Sequence, residues 1–119
     1  MPFPRTIDIT TIGRSSGRPR RIEIWWFRIG DRFVITGTPG PRDWLANIRA
    51  EPRLTLHRPT GDVEATATEV TDDAVRAEVI DHPDTGWYVG QAERQHLIDA
   101  APMIEVRSGR LDLADIVDP

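Results

Sequence analysis

The chain has 119 residues, enough for one hydrophobic core and too few for two. Its 39% hydrophobic and 29% charged residues are ordinary for a globular domain, and no apolar run approaches the length of a bilayer span. The lack of cysteine excludes a disulfide framework, a thiol nucleophile and a thiolate metal site. With the opening MPFPRTIDI lacking an apolar leader, a cytoplasmic protein without stable membrane insertion is expected.

The net charge of −4 conceals an asymmetry: residues 1–58 hold 11 arginines against 5 acids, and residues 59–119 hold 4 against 14. Every basic residue is arginine, whose planar fork of donors suits phosphate and carboxylate. An anion site in the first half is therefore expected. The acidic total and the lack of a recognition motif argue against nucleic acid.

In chain order, residues 7–11 alternate apolar and polar side chains as a short strand does, and the turn Gly13-Arg14-Ser15-Ser16-Gly17 follows. Residues 20–29 form a second strand, with Ile22, Ile24 and Trp26 on one face and Trp25, Phe27 and Ile29 on the other. Two apolar faces predict a strand inside a barrel or at an interface. Gly30-Asp31 turns into a third strand over 32–38, and Thr38-Pro39-Gly40-Pro41 stops it.

Asp43 is expected to cap a helix carrying Trp44, Leu45 and Ile48 on one side, ending before Pro52. Strands follow over 53–57 and 63–70, around Pro59-Thr60-Gly61. Thr71 is expected to cap a helix over 72–81, 82–90 reads as a loop, and 91–100 is helical. A last hairpin joins strands 102–107 and 110–116 through Ser108-Gly109. Mostly hairpin connections predict a single α+β domain over 1–119, an antiparallel six- to seven-stranded barrel with three short helices.

The turn and its flanks, from Thr10 to Arg20, carry the clearest chemical signal. Two glycines let backbone N–H groups approach a ligand, Ser15 and Ser16 add hydroxyls, and Arg14 and Arg20 can grip an anion. The spacing fits neither a P-loop nor a dinucleotide fingerprint. On the next helix Trp44 and Asn47 share a face, so one can stack while the other hydrogen-bonds, although a core tryptophan beside a surface asparagine would give the same spacing. His57, His82 and His96 lack ligand spacing, so no metal is expected. Ser15 and Ser16 have no nearby histidine and acid to activate a nucleophile. Asp72-Asp73 reads as helix-terminus charge. Trp87-Tyr88 would line a pocket or pack beneath a loop.

The run Thr10-Thr11-Ile12-Gly13-Arg14-Ser15-Ser16-Gly17-Arg18-Pro19-Arg20 resembles the T-T-x-G-R-x-[ST]-G-x-P-R signature of the deazaflavin (F420)-dependent nitroreductase family, also described as F420-dependent quinone reductases. The segment Trp44-Leu45-Ala46-Asn47-Ile48-Arg49-Ala50-Glu51-Pro52 is similar to that family's W-[YL]-x-N-[LI]-x-A-x-P helix. The resemblance implies a split β-barrel of the FMN-binding type with coenzyme F420 as cofactor. Carried onto this chain, it implies that Arg14, Ser15 and Ser16 contact the cofactor's phosphate or acidic tail. Arg20, Arg21, Ile22, Glu23, Ile24 and Trp25 would form the strand wall. Thr36, Gly37 and Thr38 would lie near the ring, and Trp44, Ala46 and Asn47 would close the other side. The chain departs from the family in its short, lysine-free loop before the tryptophan helix and in having Tyr88 as its only tyrosine.

These implications describe a hydride transfer from reduced deazaflavin to a small electron-poor acceptor such as a quinone, enone or nitro compound. The cofactor carries the redox chemistry, so no catalytic dyad is required, and Thr38 is the candidate donor to the acceptor's developing negative charge. The alternatives are an FMN-dependent reductase on the same barrel and a non-catalytic carrier of a cofactor, lipid or haem. FMN's single phosphate needs fewer basic contacts than a glutamylated tail. Barrels of this kind commonly pair as homodimers, and residues 25–29 offer an apolar surface for pairing.

Overall fold

The computed structural model describes residues 5–59, 61–85 and 93–108. Six strands, β1 (Arg5–Ile12), β2 (Pro19–Ile29), β3 (Arg32–Thr36), β4 (Arg53–Arg58), β5 (Gly61–Glu69) and β6 (Met103–Arg107), close in the order β1-β2-β3-β6-β5-β4 with every pairing antiparallel. Three helices, α1 (Asp43–Ala50), α2 (Asp73–Asp81) and α3 (Arg94–Ala100), and a short 3-10 turn (Pro83–Thr85) complete the described chain. The Trp87-Tyr88 loop, residues 91–92, Thr60, and the Gly109 turn with its 110–116 strand lie outside the described residues.

β2 explains the architecture. Trp26 enters the barrel with Ile7, Ile9, Ile35, Leu54, Leu56 and Ile104, and it stacks on Phe33 with ring centroids 4.9 Å apart and planes 7° from parallel. Its neighbours Phe27 and Ile29 point outward, where Val79, Ile80, Leu97 and Ile98 of α2 and α3 cover them. The doubly apolar pattern thus reflects a strand with a barrel on one side and helices on the other. The outer face expected to serve for pairing is covered from within the chain, apart from the half-buried Trp25.

β2 is also longer than its partners allow. Residues 19–26 pair with β1, and residues 26–29 pair with β3. Residues 19–25 form an arm beyond the seam, and this opening faces α1.

Both expected helix caps are corrected. Arg42, not Asp43, is the N-cap of α1, and it makes no side-chain cap hydrogen bond; Asp43 is the first helical residue and pairs with Arg14. Asp72, not Thr71, caps α2: its carboxylate accepts from the N–H groups of Ala74 at 2.9 Å and Val75 at 3.1 Å. Asp72→Ala should lower stability by about 1 kcal/mol, measured by urea denaturation, whereas Thr71→Ala should have almost no effect.

Candidate functional site

The β1–β2 turn is tightly organised. Gly13 N–H donates to the Arg18 carbonyl and Gly17 N–H to the Gly13 carbonyl, both at 2.8 Å. Gly17 has φ 69°, where a side chain is strained, and a Cβ on Gly13 would lie 2.6 Å from Ser16 Oγ and 3.3 Å from the Arg18 carbonyl. The positive φ favours glycine at 17, and the close approach favours it at 13.

The turn is stapled to α1 by Asn47. Its side-chain oxygen accepts from the Arg14 backbone N–H and from the Arg14 guanidinium, each at 3.1 Å, and its Nδ2 donates to Thr11 Oγ1 at 3.2 Å. Arg14 also donates to Asp43 at 3.3 Å. Asn47 is only 4% exposed, so it is a buried staple and not a helix-surface side chain.

Between this turn, the arm of β2 and α1 lies a cleft of about 620 Å³. Of the residues expected to bind a cofactor, the cleft gathers Arg14, Ser15, Ser16, Arg20, Arg21, Ile22, Trp44 and Asn47, and it adds Thr11, Gly13, Pro19 and Asp43. Its three arginines outnumber its single acid. They are not equivalent: Arg14 is engaged by Asn47 and Asp43, and Arg21 Nε donates to Asp8 at 2.9 Å. Arg20 has no side-chain partner among the described residues. Across the cleft, Trp44 is 6% exposed, and its indole Nε1 is buried without a hydrogen-bond partner among the described residues. An orphaned buried donor is unusual and calls for an acceptor supplied by something else.

The other expected site residues lie outside this cleft. Glu23 pairs across from Asp8 and lines a second cleft, Ile24 packs against the barrel core, and Trp25 lies against the α2–α3 cluster. Thr36 is fully buried, its hydroxyl donating to the Pro102 carbonyl at 2.7 Å. Gly37 is buried beyond the end of β3, and Thr38 receives the Arg42 guanidinium on both its carbonyl and its hydroxyl, at 2.7 and 3.0 Å. Ala46 is half-buried on α1 and does not line the cleft. The three threonine–glycine positions therefore sit at the β3 exit, apart from the arginine-lined opening. Thr11 and Asp43 were not among the expected site residues. Thr11 belongs to the turn motif, and its inward register was the available signal.

Shifted ionisations belong to surface pairs elsewhere. The hydrogen bonds from Arg49 at 2.6 and 2.8 Å hold the Glu69 carboxyl below its ordinary 4.5, and those from Arg94 hold Asp81 below 3.8. A lowered folded-state value gives stability that is present above the ordinary value and lost as pH falls through the folded one. Glu69→Gln should therefore flatten the loss of thermal stability on acidification below about pH 4.5, as read from melts across pH.

Residues 2–109 match the sequence model of the F420H(2)-dependent quinone reductase family. The chain belongs to that family. It is an F420-dependent reductase with coenzyme F420 as its cofactor. The barrel is similar to several solved structures. One, described as an F420-H2 dependent reductase (FDR-A), is 18% identical, has a TM-score of 0.61 and aligns over 90% of this chain and 98% of that one. A putative pyridoxamine 5′-phosphate oxidase from Listeria innocua is 10% identical, with a TM-score of 0.64 and coverage of 88% and 84%. HutZ, a haem storage protein from Vibrio cholerae, is 12% identical, with a TM-score of 0.54 and coverage of 91% and 84%. At such identities these likenesses establish the split-barrel fold. The family match decides between F420 and FMN, because the arginine cluster alone does not: two of its cleft-lining members are already paired.

The cleft fits such a cofactor on its own terms. Its volume lies in the range of small-molecule sites, it offers a guanidinium unpaired among the described residues for an anionic group, and one of its lining residues, Trp44, has a buried indole N–H without a partner among them. No group of three or more His, Asp or Glu among the described residues could hold a metal ion. No helix among them is long and apolar enough to cross a membrane.

Proposed function

We propose that the reductase passes a hydride to a small electron-poor acceptor, a quinone, enone or nitro compound, with its cofactor seated in the cleft between the β1–β2 turn and α1. Bound there, the reduced deazaflavin supplies the hydride. The chain's own residues bind and orient. Arg20 takes the anionic end, with Ser15 and Ser16 as nearby hydroxyl donors. Trp44 would close the cleft from α1, its orphaned indole N–H being the donor available to a polar atom of the cofactor, and Ile22 would supply apolar contact. Arg14 works indirectly, holding the turn against Asn47 so that this array is in place before the ligand arrives.

The observation that carries this reading is that the lining of one cleft holds both an unengaged arginine and Trp44, whose buried indole N–H has no partner among the described residues. Catalysis by positioning is consistent with the lack of a nucleophile–base pair in that cleft. Thr38, tied to Arg42, is better placed to order the β3 exit than to touch an acceptor. A cytoplasmic location and a homodimer belong to the same reading; one similar chain, 19% identical, is described as a domain-swapped dimer.

The test is anaerobic mixing of F420H2-loaded protein with menadione, with return of the oxidised cofactor's absorbance as the signal. Oxidation within a single turnover supports the acceptor class. Tight cofactor binding without oxidation by any quinone, enone or nitro compound would instead indicate a carrier.

A further inference from the structure

A single carboxylate lines the cofactor cleft, and it sits on an arginine. Asp43, the first residue of α1, shares the lining with Arg14, Arg20 and Arg21. Arg21 also has a carboxylate partner, but that partner, Asp8, does not line this cleft. Asp43 therefore brings the one negative charge into walls otherwise suited to anions. Its contact is end-on: Arg14 Nη2 donates to Oδ1 at 3.3 Å, longer than the roughly 2.7–2.9 Å of a strong charge-assisted bond. The Asp43 side chain is 91% exposed and that of Arg14 44%, so the pair adds little to stability. Nor does the turn need it. Asn47 already accepts from the Arg14 backbone N–H and from Nη1, which leaves Nη2 as the arm that reaches Asp43. An acid in the first turn suits the dipole of α1, yet that benefit does not require it to hold an arginine in a cleft.

The pair divides the arginines by task. Arg20 stays open, whereas the outer arm of Arg14 is taken. A ligand that presents one anionic group at a time can be met by Arg20 alone. A ligand with two adjacent phosphates, such as a nucleoside di- or triphosphate, gains most from two guanidiniums, and here it must displace Asp43 and tolerate its charge. Resting on the placement of the cofactor proposed above, we infer that Asp43 is a specificity-determining residue: by occupying Arg14 it bars the cleft to compounds with adjacent phosphates and leaves Arg20 to read the cofactor. F420 carries its phosphate and tail carboxylates spaced along a chain, so it loses little by the arrangement. Selectivity arises from weakening the competitor, not from an added contact to the cofactor.

Pyrophosphate is the probe, titrated calorimetrically into the unliganded full chain, with F420 binding followed separately by fluorescence. Asp43→Ala should tighten pyrophosphate binding by about 3- to 10-fold, and the gain should shrink as salt is added. Asp43→Asn removes the charge but keeps an acceptor for Nη2, so it should gain less. Asp43→Glu keeps both and should behave as the unsubstituted chain. F420 affinity should rise by no more than about twofold in any of the three, because the exposed pair itself is weak. The ratio of F420 to pyrophosphate affinity therefore falls with Asp43→Ala. An acid serving only the helix end would shift Tm slightly and leave that ratio unchanged, which would overturn the proposal. So would a pyrophosphate gain shared by Asp43→Glu, or one no larger than the gain for F420. The side chain is exposed, so all three variants should fold, as circular dichroism will show. Failure of the unsubstituted chain to bind F420, with the pyrophosphate series as expected, would bring down the cofactor reading and leave the selectivity of Asp43 standing.

Discussion

Replacing Arg20 with alanine is expected to weaken F420 binding by about 10- to 100-fold, the worth of a charge-assisted hydrogen bond in a partly closed site. The expectation follows from the different engagement of the three arginines in the cleft. Arg14 is held by Asn47 and Asp43, and Arg21 by Asp8, whereas Arg20 has no side-chain partner among the described residues. Its loss should shrink for a cofactor lacking the glutamate tail and should diminish with added salt. Arg14→Ala should also weaken binding, but through disorder of the turn, so that affinity falls similarly for tailed and tail-less forms. Fluorescence titration of both variants with both forms separates the roles. Equal behaviour of Arg14→Ala and Arg20→Ala would remove the distinction.

The largest loss of stability should come from a residue remote from the chemistry. Arg76 on α2 is 8% exposed, and its guanidinium donates to the carbonyls of Ile98 at 2.6 Å, Val70 at 2.8 Å and Ala101. These three carbonyls lie at the end of β5 and at the C-terminal end of α3, where chain ends leave acceptors without partners. One side chain thus ties α2 to both. Arg76→Met keeps the aliphatic volume but orphans three buried acceptors. It should cost about 3–5 kcal/mol, and for a domain of this size each kcal/mol lowers Tm by about 4–8 °C. A thermal melt followed by circular dichroism measures it. A shift of less than about 3 °C would mean that water replaces the guanidinium at little cost.

The barrel was legible because its strands obey a period of two and its turns carry glycine and proline. β2 was the most informative segment, its two apolar faces announcing burial on both sides. What covers the outer face was not legible: α2 and α3 lie more than forty residues away in the chain, and an internal helical cover and a second copy produce the same local pattern. The caps were misplaced by one residue because Asp43 and Thr71 are good capping types in the right neighbourhood. Asp43 is drawn instead to Arg14, and Asp72 stands one position nearer the helix.

The site was legible in its turn and helix motifs and less so in its roles. Asn47 looked like a surface residue because a helical spacing cannot reveal that a glycine-shaped turn will press against it. Arg14 looked like a ligand contact because a sequence shows charge and not partners. The Arg14–Asp43 contact joins residues 29 positions apart, and it depends on how α1 seats against the β1–β2 turn, which no local pattern encodes.

The most direct test of the account is the indole N–H resonance of Trp44 during titration with oxidised F420, assigned by comparison with Trp44→Phe. Its Nε1–H has no partner among the described residues. The account predicts that this resonance moves downfield as the cofactor saturates, while those of Trp25 and Trp26 stay nearly fixed. A stationary Trp44 resonance at full saturation, judged by cofactor fluorescence, would place the cofactor elsewhere and contradict the account.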